Sequence, residues 1–384
     1  MPARCSQYTA RKLLSAVVLI IHFVLNFAIA SADLIHSTST WRPKSIRAQQ
    51  KHYIRRGLLR RGGSENKSSG ILNTYDEQGD VTNTTEEQPL LHSIYSIRGE
   101  RQYMEDEYFI GDDGRFAAVF DGHGGAAISR YLRQNFYAAV QAALPTSASA
   151  EAIAQDESLN SASADDLAIA SAVCAAFEKI DNEVQDISHW SFQGSTGLAV
   201  VIHTNIDGTR TIISGNVGDS RAILGRRKTA IDLTRDHKPN DEVERSRIVD
   251  LGGTVDWCGQ VDRRGQPVEH TGVYRINGNL ALSRSIGDRS ERPWVTSEVE
   301  IKLQKIEDDV DSFVVLATDG LWDVMSSQEV VSYVHQMLES TPTKYQNELR
   351  RNIAKAVTEE ALRRGSSDNV TVLLIWLHGE VKDI

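Results

Sequence analysis

The sequence predicts a mixed fold of helices and strands in one large domain that begins near residue 91. Six short apolar runs are typical of strands that are covered on both faces. Five longer segments place apolar residues at helical spacing. Both kinds of segment lie C-terminal to residue 90, and they alternate along the chain. A domain of this size is large, but mixed folds of such length do form single units.

Each predicted element has a pattern that justifies it. The strands are 115–120, 197–203, 211–217, 220–224, 313–318 and 370–376, and the helices are 125–143, 165–187, 240–251, 327–339 and 346–364. Most of the strand runs are rich in Val, Ile, Leu, Phe and Ala on both faces, as in a sheet that another layer covers. The last helix carries Ile353, Val357 and Ala361 on one face. Periodicity alone predicts no more than this mixed class.

Charge is unevenly distributed along the chain. Residues 1–63 contain eleven Lys and Arg residues and one acidic residue, a net charge of +10, whereas the whole chain has a net charge of −10. Residues 64–384 therefore carry a net charge of −20, which excludes nucleic-acid binding by this part on charge grounds. The cysteines Cys5, Cys174 and Cys258 have no paired spacing, so neither a disulfide framework nor a zinc site is expected.

Residues 13–32 form an apolar stretch of twenty that is long enough to cross a bilayer. Three basic residues precede this stretch and eight follow it by Arg61, so a signal anchor with the C-terminal part in the cytosol is predicted. A cleaved signal peptide is the alternative, because Ala30-Ser31-Ala32 resembles a cleavage site and would leave a product in a secretory or organellar lumen. The basic, acid-poor segment 33–63 leaves a presequence as a third possibility.

The predicted organisation has five parts. They are a basic N-terminal segment at 1–12, the apolar segment at 13–32, a basic and then polar linker at 33–90, the large domain at 91–378 and a tail at 379–384. From residue 62 to residue 89 the linker is rich in Gly, Ser, Asn, Thr and Glu and has no hydrophobic period, which predicts disorder.

Acidic residues recur in short motifs scattered along the domain. The positions are Glu105, Asp121, Asp219, Asp319, Asp323 and Asp368. The apolar run 116–120 ends directly before Asp121, and the run 313–318 ends directly before Asp319. A carboxylate at the mouth of a buried strand is unfavourable without a partner. Oxygen ligands of this kind suit Mg²⁺ or Mn²⁺, and two such ions about 3.5–4 Å apart can activate a water for attack on phosphorus.

Eight motifs resemble those of the protein phosphatase 2C family, which comprises metal-dependent serine/threonine phosphatases. They are RQYMED at 101–106, DGHGG at 121–125, GSTG at 194–197, GNVGDSR at 215–221, LTRDHKP at 233–239, NGNLALSRSIGD at 277–288, DGLWD at 319–323 and DNV at 368–370. Each motif is weak alone, but eight in the order of the family are specific. The resemblance covers about three quarters of the chain and implies an α+β fold of two packed β-sheets flanked by helices, a four-layer αββα sandwich.

The resemblance also implies how metal ions are bound. Asp121 would bridge two Mg²⁺ or Mn²⁺ ions, and Glu105 and Gly122 would help to bind them. Asp319 and Asp368 would complete this site. For Asp219 and Asp323 two interpretations stay open, because they are either ligands of a weaker third ion or caps of turns.

Six further residues have predicted roles in or behind the site. Arg101 is expected to hold the substrate phosphate rather than to form a surface salt bridge. His123 stands two residues from Asp121 and is expected to protonate the departing alkoxide. Thr196 and Ser195 would shape the site through hydrogen bonds. Asp106 is expected to lie behind the ligands, and Asp288 to be structural.

These residues predict a Mg²⁺- or Mn²⁺-dependent phosphatase of phosphoserine and phosphothreonine that forms no phospho-enzyme. Its expected partners are phosphoprotein substrates and a membrane, and a monomer is expected. The rival hypothesis is a membrane-tethered scaffold with weak activity, although a scaffold needs none of the charges of Arg101, Asp121 and Asp368. The C-x5-R spacing of Cys258 and Arg264 lacks the glycine-rich loop of cysteine-dependent phosphatases, so a thiol mechanism is rejected. The sequence departs from the family mainly between residues 253 and 277, which leaves the substrate open.

Overall fold

The structure is a computed structural model that describes residues 74–75, 81–82, 88–144, 162–268 and 271–379. The apolar segment predicted at 13–32 therefore lies outside the described residues, as does most of the tail. The chain divides into two units, Met1–Thr84 and Thr85–Ile384. In the first unit, strands β1 (Thr74–Tyr75) and β2 (Val81–Thr82) pair antiparallel within the segment predicted as a linker.

The second unit contains the remaining strands and helices. The strands are β3 (His92–Ile97), β4 (Glu107–Gly111), β5 (Phe116–Phe120), β6 (Gly122–His123), β7 (Gly194–Ser195), β8 (Gly197–Thr204), β9 (Arg210–Val217), β10 (Arg221–Arg226), β11 (Thr229–Asp232), β12 (Val255–Cys258), β13 (Val273–Ile276), β14 (Ile286–Gly287), β15 (Glu300–Lys305), β16 (Asp311–Ala317) and β17 (Val370–Trp376). The α-helices are α1 (Ala127–Ala143), α2 (Ala164–Gln185), α3 (Glu242–Asp250), α4 (Asp319–Trp322), α5 (Ser327–Ser340) and α6 (Thr343–Arg363).

Two five-stranded antiparallel sheets form the centre of this unit. The strand order of the first sheet is β15-β9-β8-β5-β4, and that of the second is β11-β10-β16-β17-β3. Alternate residues of one strand face opposite layers, as β5 illustrates. Phe116 and Phe120 pack against α1 and α2, where they meet Phe136 and Phe177, whereas Val119 points toward the other sheet.

A buried cluster of apolar side chains joins the two sheets. Val119 of the first sheet belongs to the same buried cluster as Leu224, Val314, Leu316 and Leu373 of the second sheet. On the outer face of the second sheet, side chains of α5 and α6 pack over β16 and β17. The order of layers is therefore helix, sheet, sheet, helix, which confirms the predicted αββα sandwich.

Helix α2 begins with a capping box, in which Ser163 and Asp166 exchange hydrogen bonds with each other's backbone N–H groups. Helix α5 begins with the same arrangement at Ser326 and Glu329. Outside the sandwich, the hairpin of β12 and β13 packs with α3 around Ile248. Both strands of this hairpin lie within the segment where the sequence departs from the family pattern. Across the part of the chain that the structure describes, no helix is both long and apolar enough to cross a membrane.

Candidate active site

The predicted acidic residues lie where strands of both sheets begin or end. Asp121 follows β5, Asp319 follows β16, Asp219 lies in the turn between β9 and β10, Asp368 precedes β17, and Glu105 precedes β4. Antiparallel pairing brings these strand ends together within each sheet, and the β9–β10 turn connects the two sheets at the same edge. The sandwich therefore gathers the carboxylates from distant parts of the sequence.

The pKa values of two carboxylates show how closely negative charge is gathered. Burial raises the pKa of Asp121 well above its ordinary value, and the charges of Asp319 and Asp106 raise it further. Burial likewise raises the pKa of Asp319, and Asp219 and Asp323 add to the effect. Both residues keep part of their surface open to solvent. Carboxylates whose ionisation is opposed in this way are stabilised by an added positive charge that solvent can deliver.

Lys238 is a cation within this cluster that the sequence interpretation missed. Its Nζ donates a hydrogen bond to Asp219 Oδ2 at 2.5 Å. Burial lowers the pKa of Lys238, but the charges of Asp219 and Asp319 outweigh burial and raise it overall. Burial raises the pKa of Asp323, although Lys238 opposes this shift. Lys238 thus occupies one of the two carboxylates predicted for the weaker ion.

The donor set fits Mg²⁺ or Mn²⁺ that keep part of their water shell. Among the described residues, no three acidic, histidine or cysteine side chains lie close enough together to hold an ion by themselves. Mg²⁺ usually takes one or two carboxylates and retains several waters. The negative charges of Asp121 and Asp319 repel each other, and such ions would offset this repulsion. Backbone atoms of Gly122 and Glu105 lie next to each other as well. A Cβ at Gly122 would come within 2.6 Å of the Glu105 carbonyl oxygen, so these two predicted ligands are neighbours.

Asn369 fixes the loop that carries Arg101 and Glu105. Its Oδ1 accepts a hydrogen bond from the Glu105 backbone N–H at 2.8 Å. Its Nδ2 donates to the carbonyl oxygens of Arg98 at 2.7 Å and Tyr103 at 3.0 Å. The Arg101 guanidinium donates to the Asp368 carboxylate, so the predicted phosphate-binding group contacts a predicted metal ligand. The Arg101 side chain remains more than half exposed, at 57%.

His123 is held by a carboxylate that the sequence interpretation treated as structural. Its Nε2 lies 2.6 Å from Asp288 Oδ2, and its side chain is 26% exposed. Burial lowers the pKa of His123, but the negative charge and hydrogen bond of Asp288 outweigh burial, so the pKa of this imidazole is raised. A histidine with a raised pKa is better suited to hold a proton for donation at neutral pH.

Thr196 connects the Asp121 backbone to the neighbouring strands. Its Oγ1 accepts a hydrogen bond from Asp121 N–H at 3.0 Å and lies 2.7 Å from Ser220 Oγ. Its own N–H donates to the Asp121 carbonyl at 2.8 Å. Ser195 donates to the Thr196 carbonyl at 2.8 Å. The predicted shaping role of Ser195 and Thr196 agrees with these contacts, and Ser220 is buried against Thr196 rather than presented as a nucleophile.

Asp106 is buried, whereas the predicted ligands Glu105, Asp121, Asp319 and Asp368 keep part of their surface open to solvent. Its Oδ2 accepts hydrogen bonds from Thr318 Oγ1 and Thr371 Oγ1, both at 2.8 Å. Burial raises the pKa of Asp106 to about 7, although the two threonine hydroxyls act in the opposite direction. The position of Cys258 also agrees with the rejection of a thiol mechanism, because it lies exposed at the end of β12 rather than in a loop that opens a helix.

Comparisons with known proteins agree with this geometry. The sequence model of the family described as Protein phosphatase 2C matches residues 92–370. Probable protein phosphatase 2C 30 of Arabidopsis thaliana is 33% identical over 294 residues, which cover 74% of this chain and 66% of that protein. Probable protein phosphatase 2C member 13, mitochondrial, of Oryza sativa subsp. japonica is 32% identical over 291 residues, which cover 74% and 67% of the two chains.

A solved structure supports the fold independently. The crystal structure of serine-threonine phosphatase 2C from Toxoplasma gondii has a TM-score of 0.53 and 23% sequence identity, and the match covers 76% of this chain and 96% of that chain. Its identity is low, so this similarity concerns the fold alone. The family match covers more than half of the chain and includes every predicted site residue. The chain belongs to the protein phosphatase 2C family of protein serine/threonine phosphatases.

Proposed function

We propose that this protein hydrolyses phosphoserine and phosphothreonine in phosphoproteins with two Mg²⁺ or Mn²⁺ ions in its acidic centre. The observation that carries the proposal is the pair Asp121 and Asp319, whose pKa values are raised by burial and by neighbouring carboxylates. Glu105, Gly122 and Asp368 would complete the ligand set. When bound, the two ions would neutralise this charge and activate a water for attack on phosphorus.

Arg101 and His123 are the residues proposed to act on the substrate. Arg101 is exposed enough to exchange its contact with Asp368 for two phosphate oxygens. As the water oxygen bonds to phosphorus, the bond from phosphorus to the serine oxygen breaks, and its electron pair stays on that oxygen. His123 gives a proton to this oxygen, so the products are the free hydroxyl and inorganic phosphate. No phospho-enzyme is needed, since the buried Ser220 is engaged by Thr196.

A weaker third ion between Asp219 and Asp323 is part of the same proposal. Lys238 donates to Asp219, so an ion at this place has to compete with an ammonium group. That competition supports weak rather than tight binding, because the cation already offsets part of the negative charge.

The experiment that tests the proposal is hydrolysis of a phosphothreonine peptide by the full-length protein in mild detergent, with Mn²⁺ or with EDTA. Asp121→Asn keeps the size of the side chain but removes the negative charge that is proposed to hold two ions, so activity should fall on the order of 10³-fold or more. Asp309→Asn changes an exposed acid that forms no ion pair among the described residues, and it should leave activity unchanged. EDTA-resistant turnover, or an Asp121→Asn enzyme within about tenfold of the wild type, contradicts the two-metal mechanism.

The alternative of a scaffold with weak activity is decided by the same assay. A scaffold would show no manganese-dependent turnover above that of Asp121→Asn. The membrane anchor at 13–32 and the monomeric state stay predictions, since both concern features beyond the described residues of one chain. The mitochondrial name of the rice relative keeps the presequence alternative open.

A further inference from the structure

The imidazole of His123 is bonded to a carboxylate that is itself held from two sides. Asp288 Oδ2 lies 2.6 Å from His123 Nε2 and accepts a hydrogen bond from Ser285 Oγ at 2.5 Å. Asp288 is buried, and its backbone has the left-handed conformation with φ of 46°. Its N–H donates to the carbonyl of Gln193 at 2.9 Å. Asp and Asn are the residues that tolerate this conformation best after glycine.

Helix α2 anchors the loop that carries Asp288. Asp181 of this helix is nearly buried and accepts a hydrogen bond from the Gly287 N–H at 2.8 Å. One guanidinium nitrogen of Arg292 donates to both Asp181 oxygens, at 2.8 and 3.0 Å. Ser297 Oγ donates to the same carboxylate at 2.7 Å. Asp181 therefore holds the Gly287 backbone directly before Asp288 and the side chains of Arg292 and Ser297 after it, although it is more than a hundred residues away in sequence.

Close packing leaves the His123–Asp288 pair little freedom. Gly194 of β7 pairs with His123 of β6, and a Cβ at Gly194 would overlap both Asp288 Oδ2 and His123 Nε2. The side chains of His123 and Asp288 thus lie directly against β7 at Gly194, which has no side chain of its own. Because interiors are close-packed, a histidine ring in this position has few alternative rotamers.

We infer that Asp288, anchored through Asp181, is a positioning residue that fixes the orientation and the tautomer of His123. This inference rests on the proposed role of His123 as proton donor. With Nε2–H donating to Asp288, the nitrogen left to act on the substrate is Nδ1. The proton that the serine oxygen receives, as its bond to phosphorus breaks, therefore comes from Nδ1 of the doubly protonated ring, and the neutral ring that remains keeps its Nε2 proton in the hydrogen bond to Asp288. Neither Asp288 nor Asp181 touches the reacting atoms.

The first test compares two substrates with different leaving groups. In Asp288→Asn, the amide fits the left-handed backbone, but it can donate to Nε2 as well as accept from it, so the ring is released into either tautomer. Loss of a residue that orients an active group typically reduces activity about 10–100-fold. We expect this loss with a phosphoserine peptide and a loss under about threefold with p-nitrophenyl phosphate, whose leaving group needs no proton. Equal losses on both substrates overturn the inference.

Substitution of Asp181 is a second test, because it leaves the side chains of both His123 and Asp288 unchanged. Asp181→Asn should show the same selective loss to a smaller degree, because it loosens the loop without removing the acceptor of His123. Asp165→Asn changes an exposed acid in the first turn of the same helix and serves as the matched control. A loss in Asp181→Asn that is equal on both substrates indicates a purely structural role and contradicts the inference.

A double-mutant cycle separates this inference from the proposed function. If Asp288 acts through His123, adding Asp288→Asn to His123→Gln should change peptide hydrolysis by less than about twofold. Full additivity of the two losses overturns the inference. If His123→Gln itself reduces both substrates equally, the proton-donor proposal fails, and the cycle still decides whether the two residues act as a unit.

The tautomer can be read without turnover. In full-length protein with ¹⁵N-labelled histidine and no metal, Nε2 of His123 should carry a proton both in the doubly protonated ring and in the neutral ring, and His123→Gln identifies its signals. Asp288→Asn should shift the ring toward a mixture of tautomers. An unchanged tautomer in Asp288→Asn, or a wild-type ring protonated on Nδ1 alone, overturns the inference. Circular dichroism of each variant checks that its fold is retained.

Discussion

At the scale of the residue, Asn369 shows how a neutral side chain organises a charged site. It is nearly buried, and its amide satisfies three backbone groups of the loop between β3 and β4. This loop carries Arg101 and Glu105, which are proposed to bind phosphate and metal. The amide suits the task because it can donate and accept at once, whereas the neighbouring Asp368 can only accept when ionised.

Asn369→Ala should destabilise the fold and lower activity together. The substitution leaves the Glu105 N–H and the carbonyls of Arg98 and Tyr103 without partners, and each unsatisfied buried group costs about 1–3 kcal/mol. We expect a total loss of about 3 kcal/mol in the free energy of unfolding, measured by urea denaturation, since part of the loop can reach water. Asn352→Ala, at an exposed site in α6 with one hydrogen bond, is the matched control. An Asn369→Ala protein as stable as this control would contradict the role assigned to the amide.

Sequence patterns predict some of these residues and not others. Asp121 and Asp319 can be predicted, because each ends a continuous apolar strand where an unpaired charge has no structural purpose. Asp288 and Lys238 cannot be given their roles in this way, because those roles depend on His123 and Asp219, which lie 165 and 19 residues away. No local pattern records a pairing that is created only by the fold.

At the scale of the element, position within the sheet decides which strands the sequence predicts. The six predicted strands are the interior strands of the two sheets, β5, β8, β9, β10, β16 and β17. The four edge strands, β3, β4, β11 and β15, are all missed. Interior strands are covered on both faces and most of their residues are apolar and buried, whereas edge strands here are half-buried and mix polar with apolar residues. The burial of a strand, rather than the strand propensity of its residues, therefore decides whether the sequence predicts it.

Helix α3 is joined to the sandwich by a buried ion pair. Glu244 is fully buried and accepts hydrogen bonds from Arg284 at 2.5 and 3.0 Å and from Arg247 at 3.0 Å. Burial raises the pKa of Glu244, but Arg284 and Arg247 outweigh burial and lower it from 4.5 to about 2. Arg284 lies just before β14 and Asp288 follows this strand directly, so this pair also supports the proposed positioning of His123.

The stability that Glu244 contributes should depend on pH. Its pKa is lower in the folded state than in the unfolded state, so its contribution is complete above about pH 4.5 and is lost as the pH falls toward 2. The shift corresponds to about 3 kcal/mol. Glu244→Gln should be less stable than the wild type by about 3–5 kcal/mol at pH 7, because it leaves buried guanidinium charges without a counter-charge.

Urea denaturation at pH 7, 4 and 3 measures this effect as the gap between the wild type and Glu244→Gln. The gap should narrow by up to about 3 kcal/mol on acidification, whatever other carboxylates contribute to both proteins. The exposed acid Glu242 lies on the same helix, and Glu242→Gln should differ little from the wild type at any of these pH values. A gap that stays constant between pH 7 and pH 3 would show that folding does not lower the pKa of Glu244, because both states would then release its proton over the same pH range.

At the scale of the whole molecule, charge separates the N-terminal segment from the catalytic domain. Residues 1–63 carry +10, whereas the remainder carries −20. A membrane span at 13–32 would place most of the positive residues on the C-terminal side, and positive flanks favour the cytosol. The catalytic domain would then meet phosphoproteins and free Mg²⁺ in a reducing compartment, where Cys174 and Cys258 stay free.

The folded site adds an argument about topology that the charge pattern does not contain. Asn369-Val370-Thr371 matches the sequence that accepts N-linked glycans. The amide nitrogen of Asn369 that a glycan would modify donates to two backbone carbonyls and is nearly inaccessible. Glycosylation during synthesis would therefore prevent Asn369 from forming these hydrogen bonds to the loop that carries Arg101 and Glu105. In a lumen where N-linked glycans are added, this domain would therefore be at risk of misfolding, whereas in the cytosol Asn369 would stay unmodified.

The full-length protein should accordingly stay with membranes after alkaline extraction, and its catalytic domain should be digested by protease added to sealed microsomes. Glycosidase should not change its mass, since Asn66-Lys67-Ser68 and Asn83-Thr84-Thr85 would also face the cytosol. Fusing a cleavable signal peptide to residue 33 provides the control, because forced entry into the lumen should yield glycosylated protein of low activity. A native protein that begins at Asp33, or that carries a glycan at Asn83, would show that residues 13–32 are a signal peptide. The burial of Asn369 would then require that the domain folds before this site can be modified.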